Sequence, residues 1–183
     1  MTFHTYSQDT PIPYSQIPPH PEKYTAGSVA ARLIDGLGFR YYWATAGLRD
    51  SDLEYRPSPE ARTLRETLDH IYGLSLIIAN APQGKVNQRP VDLNLDYNEI
   101  RIRTLENLKT ASGLLMPGND QNMESYRLIF KRGEQQFEFP FWNLINGPIS
   151  DALWHTGQVV LMRRAAGNPI NSKVDVFSGK LNE

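Results

Sequence analysis

The chain has 183 residues, enough for one domain with a substantial core and short for two. Lys and Arg number 19 against 20 Asp and Glu, for a formal net charge of −1, so no basic excess is available to neutralise phosphates and nucleic acid is not an expected partner. Cysteine is absent, which excludes disulfides, thiolate metal sites and a thiol nucleophile of the chain's own; any metal must be held by nitrogen and oxygen.

No apolar run approaches the ~18–20 residues that a membrane span needs. The opening MTFHTYSQDT is polar and has no apolar signal-peptide core. The expectation is a soluble, cytoplasmic protein without a membrane partner. Residues 1–24 carry five prolines (Pro11, Pro13, Pro18, Pro19, Pro21) and few aliphatic side chains; they read as an extended arm with polyproline character, outside the core. His4 and His20 fall in this arm and read as solvated. That leaves His70 and His155 as the histidines of the folded domain, taken as residues 25–183.

Thr25 suits the cap of a first helix running to about Ala46, with Val29, Leu33, Leu37 and Tyr41 at i, i+4 spacing. Gly36 and Gly38 interrupt it, each at a cost of about 1 kcal/mol against alanine; close backbone packing or a substrate wall would account for them. The run Phe39-Arg40-Tyr41-Tyr42-Trp43 reads as core and helix contact, with one or two rings available to line a pocket. Gly47 to Ala61 is a connection. A second helix spans about Arg62 to Asn80, burying Leu64, Leu68, Ile71, Leu74, Ser75 and Ile78. His70 lies at the edge of that face, either as a hydrogen-bonded core residue or as a ligand. Glu66, at i−4, is placed to orient its ring.

Pro82 to Asp96 reads as a loop. A third helix covers Tyr97 to about Met116, with Ile100, Thr104, Leu105, Leu108 and Ala111 or Ser112 inward and Arg101, Arg103 and Lys109 solvated. Residues 124–139 alternate around Lys131-Arg132-Gly133-Glu134 and predict a β-hairpin. Pro140 to Asn146 forms a short helix or turn. The last helix is predicted from Pro148, after the Asn146-Gly147 turn signal, to the stop at Gly167-Asn168-Pro169. Ile149, Leu153, Val159, Val160 and Leu161 give it a buried side. Beside them run Asp151, His155, Gln158 and Met162. Asp151 and His155 are four apart, so their side chains sit one turn apart on one face, a spacing that lets two side chains share one ion. Asp151 also falls in the predicted first turn, where a carboxylate is favoured by the helix dipole; both roles stay open. The tail after Pro169 shows little pattern. Four long helices with medium connections predict an all-α four-helix bundle, with a small hairpin between the third and fourth helices.

Two segments carry a resemblance: Glu66-Thr67-Leu68-Asp69-His70-Ile71 on the second helix, and Ile149-Ser150-Asp151-Ala152-Leu153-Trp154-His155-Thr156-Gly157-Gln158 on the last. They resemble the DinB-like (YfiT-type) family of metal-dependent four-helix proteins, in outline over about Ala26 to Gly167. In that family a histidine on the second helix joins an HxxxH pair on the last. His70 matches the first position and His155 the last, while the middle position is Asp151 rather than histidine. The resemblance implies a divalent ion, Zn, Ni, Fe or Mn, held by His70, Asp151 and His155. Against three neutral imidazoles, Asp151 lowers the net charge of the site to about +1 and acidifies a bound water or thiol less.

The resemblance also implies a small-molecule substrate and transfer of a low-molecular-weight thiol to an electrophile. The missing cysteine fits a sulfur brought by the cosubstrate. Gln158 is the candidate for hydrogen bonding a metal-bound ligand, and Tyr41, Trp43 and Trp154 are candidate pocket walls. Hydrolysis by metal-bound water, with Glu66 as base, is a second enzymatic reading. A bundle acting as a binding module, with or without metal, is the non-enzymatic one. The apolar surface of the first helix predicts a homodimer.

Overall fold

A computed structural model describes residues 11–88, 94–116 and 123–183. Its long elements are α1 (Ala26–Thr45), α3 (Leu64–Asn80), α4 (Tyr97–Leu115) and α6 (Ser150–Ala165), with short α2 (Asp50–Leu53) and α5 (Phe141–Leu144) between them. Three starts are fixed by reciprocal capping boxes, in which a side-chain oxygen takes a helix N–H and the residue three further on returns the bond. Thr25 pairs with Ser28, Thr63 with Glu66 and Asp96 with Glu99. The end of α6 is closed by Gly167 at φ +75°, with Gly167 N–H bonded to Arg164 O and Asn168 N–H to Arg163 O. That double closure satisfies carbonyls the helix would otherwise leave open.

Helix α1 packs against α4 and α6, and so does α3. The four long helices share a core of Ile34, Leu37 and Tyr41 with Leu68, Ile71, Ile78, Ile100, Leu105, Leu108 and Val159. Each such side chain contributes about 1.5–3 kcal/mol through burial. The predicted inward residues of α3 and α4 are all buried. On α1, Val29 and Leu33 are half exposed, and burial falls on Ala30, Ala31, Ile34, Leu37 and Tyr41 instead.

The fold is mostly helical but not all-α. β2 (Arg127–Arg132) and β3 (Gln135–Pro140) form the expected antiparallel hairpin, turning at Gly133 with φ +59°. The predicted loop before α4 contributes β1 (Val86–Asn87), which pairs parallel to β2 and makes a three-stranded sheet. Asn87 is buried there, its side-chain amide donating to Ile129 O at 3.0 Å and its carbonyl accepting from Asn80 at 2.9 Å. Two-residue strands lack a periodicity to read, which is why the sequence shows no signal for β1. The C-terminal tail likewise forms a ladder, β4 (Val174–Asp175) with β5 (Lys180–Leu181).

Three further expectations change. Residues 11–24 are anchored at Tyr14 rather than wholly free: Tyr14 is buried, its hydroxyl donates to Asp35 at 2.9 Å, and its ring lies where a Cβ on Gly38 would stand. Close packing therefore accounts for that glycine. Arg101 is not simply solvated; it donates to Thr45 Oγ1 at 3.0 Å and lies over the Tyr42 ring. Finally, the last helix does not begin at Pro148. It is continuous from α5 through a π-helical turn, Ile145–Ile149, with Pro148 inside it. Proline cannot donate to the preceding turn and crowds its carbonyl, and the wider π turn relieves both.

Candidate metal centre

The capping box at Thr63 sets the phase of α3, and two turns later His70 faces the start of α6. The π turn that leads into α6 brings Asp151 and His155 to meet it. His70 Nε2 lies 3.2 Å from Asp151 Oδ2, and His155 Nε2 lies 3.3 Å from Asp151 Oδ1. The two imidazoles cross edge to face with centroids 4.6 Å apart. One donor atom from each of the three residues lies within 4.8 Å of the other two, so the group could hold a metal ion. Donors that share an ion at about 2.1 Å sit roughly 3–4 Å apart, so small side-chain rotations suffice.

Continuity of the helix also bears on Asp151. There is no free helix start beneath it, and its carboxylate oxygens are turned toward the two imidazoles. The side chain is 38% exposed, that of His70 30% and that of His155 16%, so the group is reachable from solvent. Burial pushes the His70 pKa below its ordinary value; Asp151 pulls the other way, and the positive charge of Arg62 adds to the lowering. A neutral imidazole is the form that binds metal.

His155 Nδ1 lies 2.7 Å from Gln158 Oε1. An amide oxygen only accepts, so Nδ1 carries a proton, and in the neutral ring Nε2 keeps its lone pair toward Asp151. Two acceptors then face each other at 3.3 Å, an arrangement that calls for a cation or a proton between them. Gln158 thus touches the imidazole from behind, and it also lines the cleft beside His155. Glu66, read as an orienting carboxylate or base, is occupied elsewhere: it accepts the Thr63 N–H at 2.7 Å in the capping box, and that bond holds its carboxyl below the usual range. Asp69, next to His70, pairs with Arg65 at 2.9 Å.

A cleft of about 600 Å³ opens beside His155. Its walls include Tyr55, Pro57, Arg62, Gln158, Leu161 and Met162. Tyr41, Trp43 and Trp154 do not line it. Tyr41 is in the core, Trp43 donates its indole N–H to Ser15 O at 3.1 Å, and Trp154 is 73% exposed. The α6 burial pattern is also shifted from expectation. Leu153 and Leu161 are exposed, and the inward face is Ala152, Thr156, Val159, Met162 and Arg163.

Sequence reasoning missed that last residue. Arg163 is 3% exposed and donates to Trp43 O, Ala44 O and Ala46 O at 3.2, 2.9 and 3.0 Å, and to Asn168 O at 2.6 Å. With Arg101 and the Tyr97 hydroxyl, it donates to the terminal carbonyls of α1. A charged residue in line with Thr156 and Val159 was the available signal. His20 is exposed, its Nδ1 3.2 Å from Pro21 O, and His4 lies outside the described residues. Comparison with protein-family models, with curated proteins and with solved structures finds no match to this chain.

Proposed function

We propose that His70, Asp151 and His155 bind one divalent ion, Zn, Ni, Fe or Mn, and that the chain is a metal-dependent enzyme of the DinB-like (YfiT-type) four-helix-bundle kind. In this reading it transfers a low-molecular-weight thiol to an electrophilic small molecule. The carrying observation is the convergence of two imidazoles and one carboxylate on a point beside a solvent-open cleft. Three nitrogen and oxygen donors with further positions toward solvent suit a catalytic rather than a closed structural site. When bound, the ion supplies a Lewis acid that lowers the pKa of a coordinated thiol or water. The chain's own part is to keep His155 in its Nδ1–H form through Gln158, and to offer an apolar cleft. The four long helices and the two motif segments support the family reading.

With Glu66 engaged as a cap, the hydrolytic reading lacks its one sequence-near base. The interaction-module reading draws on Trp142 and Trp154, 74% and 73% exposed on the outer side of α5 and α6. The discriminating experiment is elemental analysis of tag-free protein, followed by thiol-transfer assays with the ion that copurifies. The expected result is near-stoichiometric metal in the parent and loss of it in His155→Ala, with helical circular dichroism retained. Equal metal content in parent and variant would sink the proposal. Metal without thiol transfer would favour the module.

A further inference from the structure

The wall of the cleft beside His155 is divided by chemistry. Pro57, Ala61, Leu161, Met162 and Ala165 make it apolar, and Arg62 is its one permanently charged side chain. Leu161 is 64% exposed, which is unexpected for a leucine on a packed helix and is explained by its standing in an open apolar wall. The polar groups on the same wall are mostly spent within the protein. Thr67 Oγ1 donates to Thr63 O at 2.9 Å, and Gln158 holds His155. Glu66, four residues on from Arg62, is committed to the Thr63 N–H and stands 3.9 Å from Arg56; Glu60, two residues before Arg62, is exposed. Arg62 and His155 line the same cleft, so a divalent ion at His70, Asp151 and His155 would meet a second positive charge at the same opening.

We infer that the cleft takes an amphipathic organic anion: an apolar body against Leu161, Met162 and Pro57, and a carboxylate head at Arg62 on the side facing His155. A guanidinium matches a carboxylate with two parallel N–H donors, and an apolar wall of this size suits several carbons of ligand. The assignment names the substrate class of the proposed metal site and rests on that reading for calling the ligand a substrate; the cleft and Arg62 stand without it.

Octanoate, octanol and octylammonium serve as probes by titration calorimetry, on the parent and on Arg62→Gln, with and without zinc. Arg62 is exposed and precedes the N-cap of α3, so the variant should fold. Octanoate should bind the parent about fivefold or more tighter than octanol, weaken with added salt, and lose that advantage in Arg62→Gln, with octanol unchanged. Leu161→Glu should weaken octanoate as well. Equal affinities for octanoate and octanol, or an Arg62→Gln variant that binds octanoate like the parent, overturn the inference. Zinc content is measured in parallel. Arg62-dependent octanoate binding in a protein that retains no zinc upholds the ligand class while removing the metal reading. Zinc retention without Arg62-dependent binding does the reverse.

Discussion

Gln158 acts on the candidate metal centre through one bond. Its Oε1 takes the proton on His155 Nδ1, which fixes ring orientation and leaves Nε2 directed at Asp151 and His70. Partners behind a metal-binding imidazole typically contribute 10–100-fold in metal affinity. Gln158→Leu should therefore weaken zinc binding by about 10–100-fold in competition with a chelator, without abolishing it, because all three donors remain. Gln158→Glu can still accept from Nδ1 and should retain most of the affinity. If Gln158→Leu binds zinc as tightly as the parent, the bond is incidental. The contrast with Glu66 is instructive. Both lie three or four residues from a site histidine, but Glu66 is at the N3 position of its helix, where the cap N–H competes for its carboxylate and wins.

At the scale of elements, the end of α1 is the joint of the molecule. Arg163 from α6, with Arg101 and Tyr97 from α4, supplies donors to carbonyls that a helix terminus cannot satisfy itself. The cations also suit the negative end of the helix dipole. Arg163 bridges this end to the Asn168 cap of α6, so one side chain closes two helices. Arg163→Met removes the charge, keeps much of the volume and strands several buried carbonyls. It should cost about 3–5 kcal/mol in urea unfolding. A loss below about 1 kcal/mol would show that the guanidinium is replaceable by water. Because Arg163 lies about three helical turns beyond Asp151 on α6, zinc affinity measured below the unfolding transition should change little.

The whole molecule carries a pH dependence traceable to Asp52 on α2. This carboxylate is buried and is paired with Arg49, whose guanidinium donates at 3.0 and 2.6 Å; the Arg49 N–H and the Asn168 amide add two more bonds. These contacts hold its pKa far below the ordinary carboxylate range. The unfolded value is near 3.9, so the folded state binds the proton less readily. The stabilisation is therefore fully present above about pH 5 and is lost as pH falls below about 4 toward the folded value. Asp52→Asn should destabilise the protein by about 1–3 kcal/mol at pH 7, and the gap to the parent should narrow at pH 3. A gap independent of pH would assign the effect to packing. We also propose that the chain is a homodimer, on the strength of Val29 and Leu33 half exposed on the outer side of α1. Light scattering should then give twice the monomer mass of 20.8 kDa, falling to one in Leu33→Glu; a parent monomer at micromolar concentration would reject it.

Local rules by themselves determined the four long helices, the caps at Thr25 and the Gly167 stop, and the buried faces of α3 and α4, because capping and 3.6-residue periodicity act within a few residues of sequence. The Asp151 and His155 pair was legible for the same reason, being one helical turn apart. That His70 joins them was carried by a motif, and its placement depends on how α3 meets α6. The start of the last helix was misread because Pro148 is a helix-opening signal only when nothing helical precedes it, and the π turn that absorbs it is decided by packing. The burial of Tyr14, the parallel pairing of β1 with β2, the burial of Arg163 and the cleft beside His155 all join residues distant in sequence. Their partners are selected by the space and hydrogen-bonding groups that remain once the helices have assembled, and no local pattern records that selection.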